Sequence, residues 1–482
     1  MILQRNTTVH IYGFADFGIF VSAFFQGKYY TAEPAIHLWT IFLPPQNATV
    51  SPQTILFNSS DQETTSLQNI LFGDVHLCSG QSNMLWTINA SVPITPIDRY
   101  DFSLIRLFSI GQGTESATPL LQLNTVQQTW FPSLTSSNWT SFSAVCWFTY
   151  QAIFIKLEGI VPMGLISSNW PGTSIDTWSS PAALAICSNN IDSFRYNAMI
   201  HPYTIGGGMK MRTAIWYQGE SDIFDKTPPA SYACKINALI QDWRQKIPGL
   251  NTFGIIQIAP CTSYLPKDTL VGDFRQSQFS PLILLPNIAT VVTLDLVYPW
   301  SEPFDIHPKN KHDIGSRMAL QILALEYDFK DLEWQYPSYS SAIFTDTGLI
   351  IYLNNCYNGC YIQPLPLPPT VFPTPTFMIQ MNDDLWYPSI PTSFDGNSLL
   401  LSVPFGLTPI ATSYARASYP LATVWNKNHL PLAPWCFTLD GIPCYRLEES
   451  SLGLVFFLLL LFLIFLTILA IIFHRKIPRG DG

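Results

Sequence analysis

A serine delivered by an apolar strand onto a turn of small residues exposes a hydroxyl that can attack. This chain has one in Cys78-Ser79-Gly80-Gln81-Ser82-Asn83-Met84, directly after Ile70-Leu71-Phe72-Gly73-Asp74-Val75. Ser82 is the candidate nucleophile. A serine at its ordinary pKa is a poor one, so a histidine must take its proton and later return it to a leaving alcohol. His307, in Phe304-Asp305-Ile306-His307-Pro308-Lys309-Asn310-Lys311, suits that task because imidazole titrates near neutrality. Asp305 is the carboxylate expected to orient it, with Asp295 at the end of a predicted strand, or a backbone carbonyl beside a Ser-His pair, as alternatives. Between these blocks runs Ile215-Trp216-Tyr217-Gln218-Gly219-Glu220-Ser221-Asp222, where Gln218 offers an uncharged amide donor for an oxyanion. Nucleophile, base and donors together are the requirements of acyl transfer from an ester.

These groups need strand ends to carry them. Apolar runs at 70–77, 161–167, 212–217, 253–259 and 289–296 are spaced by stretches long enough for crossover helices, which predicts a parallel α/β core over residues 69–330. Ile314, Met318, Ile322 and Leu325 repeat along one helical face after Pro308, so His307 is expected at the entrance of a helix opened by that proline. Open α/β sheets hold their ligands near such strand ends. Residues 1–68 read as a β-rich N-terminal region, and residues 17–25 as its strand rather than as the apolar part of an entry signal. A β-rich C-terminal domain is expected over 331–446, interrupted by an extended loop marked by Pro364, Pro366, Pro368, Pro369, Pro373 and Pro375.

The blocks CSGQSNM, WYQGES and IHPxxK resemble those of the SGNH hydrolases, and within them the sialate O-acetylesterases. The resemblance extends to Gly164-Leu165-Ile166-Ser167-Ser168-Asn169-Trp170-Pro171-Gly172-Thr173, to Asn197-Ala198-Met199-Ile200-His201-Pro202 and to Trp243-Arg244, and covers roughly residues 17 to 435. It implies a flavodoxin-like three-layer core and a serine esterase that removes O-acetyl groups from sialic acids or related acetylated sugars, without a metal or other cofactor. It also implies oxyanion donors at the Ser82 amide, Gly172 and Gln218, with Ser221 competing for the last place. Trp86, Trp170 and Trp178 are candidates for walling a sugar site, and Glu220 for binding substrate or holding the loops. His201 reads as an ordinary loop histidine. Two departures stand out: Asp305 lies two rather than three residues before the histidine, and Pro171, which has no N–H, replaces the first glycine of a usual pair. Together with an N-terminal region shorter than the family's usual one, they motivate the alternative of an inactive, membrane-anchored glycan-binding homologue; because no sequence feature reads the sugar itself, other acetylated polysaccharides are an equal substrate class for an esterase.

Composition limits the remaining choices. At 482 residues the chain has room for two or three domains. Its net charge of -9 and lack of a basic run before the tail leave no electrostatic footprint for nucleic acid. No HExxH or paired CxxC spacing points to a metal. Residues 452–473 hold no ionisable side chain and are long enough for a transmembrane helix. His474, Arg475, Lys476 and Arg479 follow, which makes 474–482 a cytoplasmic tail and the rest lumenal or extracellular. Asn6, Asn47, Asn58, Asn89 and Asn138 head glycosylation triplets, in keeping with the secretory route. Nine cysteines fit an oxidising compartment, with Cys356 and Cys360, and Cys436 and Cys444, placed to close small loops.

Overall fold

The computed structural model describes the chain except residues 33–36, 93–99, 134–138, 189–191, 262–267, 297–305, 364–375, 421–423 and 447–482. Asp305, Asn138, the proline-rich loop and the apolar run 452–473 therefore lie outside the described residues. Among the described residues no helix is long and apolar enough to cross a membrane.

The centre is one sheet. Its strands are β1 (Thr64–Gly80), β2 (Ile105–Ile110), β3 (Val126–Pro132), β4 (Met163–Asn169), β5 (Thr213–Tyr217), β6 (Thr252–Ile256) and β7 (Ile288–Val291). They lie in the order β7-β6-β5-β1-β4-β2-β3, parallel throughout except where β3 runs against β2. All five expected strands are present, and the β2–β3 edge is an addition to them. β4, β5 and the second half of β1 are buried along their whole length, as parallel strands covered on both faces must be. On one face the helices α2 (Ala144–Lys156) and α5 (Lys311–Glu326) close over Cys78, Leu107, Leu165 and Ile215. On the other, α3 (Pro229–Lys246) covers Leu77, Trp216 and Phe253. These make three layers.

Helix α5 begins later than the proline suggested. Asn310 is its N-cap, its side chain accepting from the Asp313 N–H at 3.1 Å, so Pro308 and His307 precede the helix instead of opening it. An asparagine side chain satisfies a first-turn donor, whereas proline only removes one. Ile314, Met318 and Ile322 are fully buried, as their spacing requires.

Residues Val21–Phe25 form a strand paired antiparallel with Lys28–Thr31 and Gln53–Ser59, and the N-terminal β region closes over its own core of Ile11, Phe25, Ile41 and Phe57. The C-terminal strands pack around Leu349, Ile379, Leu399 and Trp435. Arg275, fully buried on α4 (Asp268–Gln278), joins this region to the central sheet by donating to the carbonyls of Ile258, Ala259, Ala417 and Ser418. Disulfides Cys356–Cys360 and Cys436–Cys444 close the small loops, and two more join distant positions, Cys78–Cys146 and Cys187–Cys234. Cys261 is buried and takes no part in a disulfide. The Cys78–Cys146 bridge ties β1 to α2 across 68 residues, a loop for which chain-entropy reasoning gives about 4 kcal/mol. Four disulfides fit an extracellular or lumenal protein. Asn6, Asn47 and Asn89 are exposed and Asn58 is half-buried.

Candidate active site

The chain runs from β1 to β2 on one side of the sheet, returns through β4, and then passes to β5 on the other side, so β1 ends at a topological switch point. Its last residue, Gly80, lies level with Asn169 of β4 and Tyr217 of β5. At such a point open α/β sheets leave a crevice beyond the strand ends for their ligands. Gly80 has φ +139°, and a Cβ on it would stand 2.2 Å from the Tyr217 carbonyl oxygen. Only glycine lets the chain leave the sheet this close to β5. Two residues later Ser82 opens the short helix α1 (Ser82–Leu85).

His307 Nε2 lies 2.8 Å from Ser82 Oγ, although the two residues are 225 positions apart. At that distance the hydroxyl can donate its proton to the ring nitrogen, which is the geometry of general-base activation. The indole of Trp86 stacks on the imidazole, with ring centroids 5.1 Å apart and planes 19° from parallel. Trp86 thus touches the base itself. Asp295, the alternative carboxylate, is occupied elsewhere: both its oxygens accept from Arg317, at 2.8 and 2.5 Å.

The oxyanion side differs from the sequence reading. Gln218 is fully buried, and its Nε2 donates to the Thr173 carbonyl at 3.0 Å and to Asp222 Oδ2 at 2.5 Å, which uses both amide hydrogens. It is a brace between two loops and leaves no donor for an oxyanion. Burial pushes the carboxyl of Asp222 up to about 7, against the hydrogen bonds from Gln218 and the Ile175 N–H. The N–H of Ser82, in a first helical turn with no intrahelical acceptor, and that of Gly172 make no hydrogen bond among the described residues. Trp170-Pro171-Gly172-Thr173 turns with φ +66° at Gly172, the pattern of a type II turn, in which proline presets the second position and glycine takes the third. Pro171 therefore shapes the loop that exposes Gly172. Thr173 Oγ1 fixes that loop by donating to the Trp170 carbonyl and accepting from Trp178 Nε1, each at 2.8 Å.

Other expectations need correction. Trp178 is fully buried and packs edge-on against Trp216, because it sits beneath the loop and not at its surface. Glu220, 3% exposed, is no substrate contact: it accepts from Asn83 Nδ2 at 2.5 Å, which fits its other reading as a holder of loops. Trp170 does stand at the crevice, its N–H on the Gly80 carbonyl at 3.0 Å, and one face of its ring is covered by the Arg195 guanidinium at 4.0 Å. Arg195 is in turn paired with Glu115. His201 bonds the Leu120 carbonyl at 3.0 Å, as a structural loop histidine would. Ser221 contributes its backbone N–H to Gln81 Oε1 at 3.3 Å.

Gln81, Asn83 and Lys311 lie within the same motif blocks, and their residue types alone point to no role. All three are buried. Gln81 Oε1 also lies 3.5 Å from the Gly219 N–H, so it joins the serine turn to the loop after β5. For Gln81 and Asn83 the available signal was a polar side chain on each side of a nucleophile, in a segment too apolar to leave it in water.

Sialate O-acetylesterase of Mus musculus is 27% identical over 522 residues, covering 90% of this chain and 92% of that one. The Pongo abelii sialate O-acetylesterase is 32% identical over 310 residues, and that alignment spans 57% of each chain. A carbohydrate acetylesterase from Xanthomonas citri superposes with a TM-score of 0.77 at 25% identity, covering 90% of this chain and 96% of the other. Residues 72–324, which run from the second half of β1 through most of α5 and therefore hold both Ser82 and His307, match the carbohydrate esterases described as sialic acid-specific acetylesterases. The chain belongs to that family.

Proposed function

We propose that this chain is a serine esterase that removes O-acetyl groups from sialic acids or related acetylated sugars. The observation that carries the reading is the 2.8 Å contact between Ser82 Oγ and His307 Nε2. Ser82 attacks the acetyl carbonyl as His307 takes its proton, and the N–H groups of Ser82 and Gly172 receive the oxyanion. His307 then gives that proton to the departing sugar oxygen, which leaves as a free hydroxyl, and water, activated by the same imidazole, releases acetate from Ser82. Asp305 is assigned to orient His307. The names of the relatives support acetylated sugar as the substrate class.

The organisation proposed around this site is a β-rich region over 1–68, a catalytic domain over 69–330 and a β-rich domain over 331–446, with residues 452–473 as a single transmembrane anchor and 474–482 in the cytoplasm. The uncharged run and its basic flank support the anchor. The test compares the full chain in detergent with Ser82→Ala, measuring acetate released from O-acetylated sialic acid and from a neutral acetylated oligosaccharide. Wild type is expected to release acetate and the variant to lose at least 10⁴-fold, roughly the cost of removing a catalytic serine. Equal release by both chains would remove the enzyme reading and leave the glycan-binding homologue.

A further inference from the structure

Beneath the Ser82–His307 pair, one neutral side chain ties the serine, strand-end and histidine segments together. Asn83, the residue after Ser82, is fully buried. Its Nδ2 donates to Glu220 Oε1 at 2.5 Å and to the Ile306 carbonyl at 3.0 Å. Its Oδ1 accepts from Lys311 Nζ. Lys311 is itself fully buried, and its ammonium also faces the rings of Tyr217 at 5.2 Å and Trp86 at 5.7 Å, the latter being the indole stacked on His307.

Two charges withdrawn from water are a costly way to obtain rigidity, since apolar side chains of similar volume do as well or better. What the charges supply is direction. The carboxylate of Glu220 accepts and the ammonium of Lys311 donates, so the Asn83 amide has a single favourable orientation. Turned over, its oxygen would face the Glu220 oxygen and the Ile306 carbonyl while its NH2 met the ammonium. Held as it is, the amide fixes the peptide that joins Ile306 to His307, and that peptide sets where the imidazole points. The same residue is bonded in sequence to Ser82. A nucleophile and a base must be held to within a fraction of an ångström, because a misplacement of about 1 Å costs about 100-fold in rate.

We infer that Asn83 is a positioning residue for the esterase reaction, and that Glu220 and Lys311 serve to lock the orientation of its amide. The inference rests on the serine-esterase reading given above. Its test uses the full chain in detergent with a chromogenic acetyl ester. Asn83→Ala is expected to lower kcat about 100-fold per folded molecule with KM unchanged. Asn83→Asp keeps the volume and the acceptor for Lys311 but loses both donors, and it should lose kcat as deeply. Glu220→Gln keeps an acceptor for Asn83 and should retain most of the kcat that Glu220→Ala loses, a rescue that a purely structural role does not predict. Unchanged kcat per folded molecule in both Asn83 variants, or equal losses in the two Glu220 variants, would overturn the inference and leave the esterase reading standing. Absence of acetate release from wild type would instead defeat that reading, and this one with it.

Discussion

His307→Ala is expected to lower kcat/KM for an acetyl ester by about 10⁴-fold, with Ser82→Ala at least as damaging, and the double variant no worse than the worse single one. The reason is geometric. Ser82 Oγ and His307 Nε2 share one 2.8 Å contact, so an imidazole without the hydroxyl, or a hydroxyl without the imidazole, does nothing for the reaction. Groups that act as a unit fail as a unit, and initial-rate kinetics on the three variants read this directly. Losses that multiply in the double variant would mean that the two residues contribute separately.

Gly80→Ala should be the most harmful single-methyl change near the site. Its Cβ would lie 2.2 Å from a backbone oxygen of β5 at φ +139°, and neither strand can retreat, because both are buried in the middle of the sheet. Positive-φ strain and overpacking together give about 3 kcal/mol or more. Gly172→Ala is the comparison: its φ is +66° but nothing lies within 4 Å of the added carbon, so only the strain remains, about 1 kcal/mol. Denaturant unfolding of the two variants should separate them by that margin. Gly80→Ala should also lose activity, since Ser82 leaves the sheet through this residue.

How far the sequence could be read depends on the physics behind each feature. The parallel core was legible because strands buried on both faces read as apolar runs, and Ser82 and His307 were legible because residue type, order and flanking elements all pointed the same way. The first residue of α5 was not: proline at 308 and asparagine at 310 both suit a helix start, and only the observed bond to the Asp313 N–H decides between them. Gln218 was placed correctly beside the crevice and given the wrong task, because sequence supplies a donor without the direction in which it points. The same limit hid Asn83 and Lys311, whose value lies in three bonds to residues between 137 and 228 positions away. Of the four disulfides, the two short loops were visible from spacing, whereas Cys78–Cys146 and Cys187–Cys234 depend on how helices pack on the sheet.

The claim on which the account depends is that Ser82 is a nucleophile made reactive by His307. Treating the full chain with a fluorophosphonate and mapping the adduct by mass spectrometry tests it most directly, because such a reagent bonds an activated serine without needing the natural substrate. The account predicts one adduct, on Ser82, formed in wild type and lost in His307→Ala. A wild-type chain that stays unlabelled, or one labelled at another serine, would contradict it.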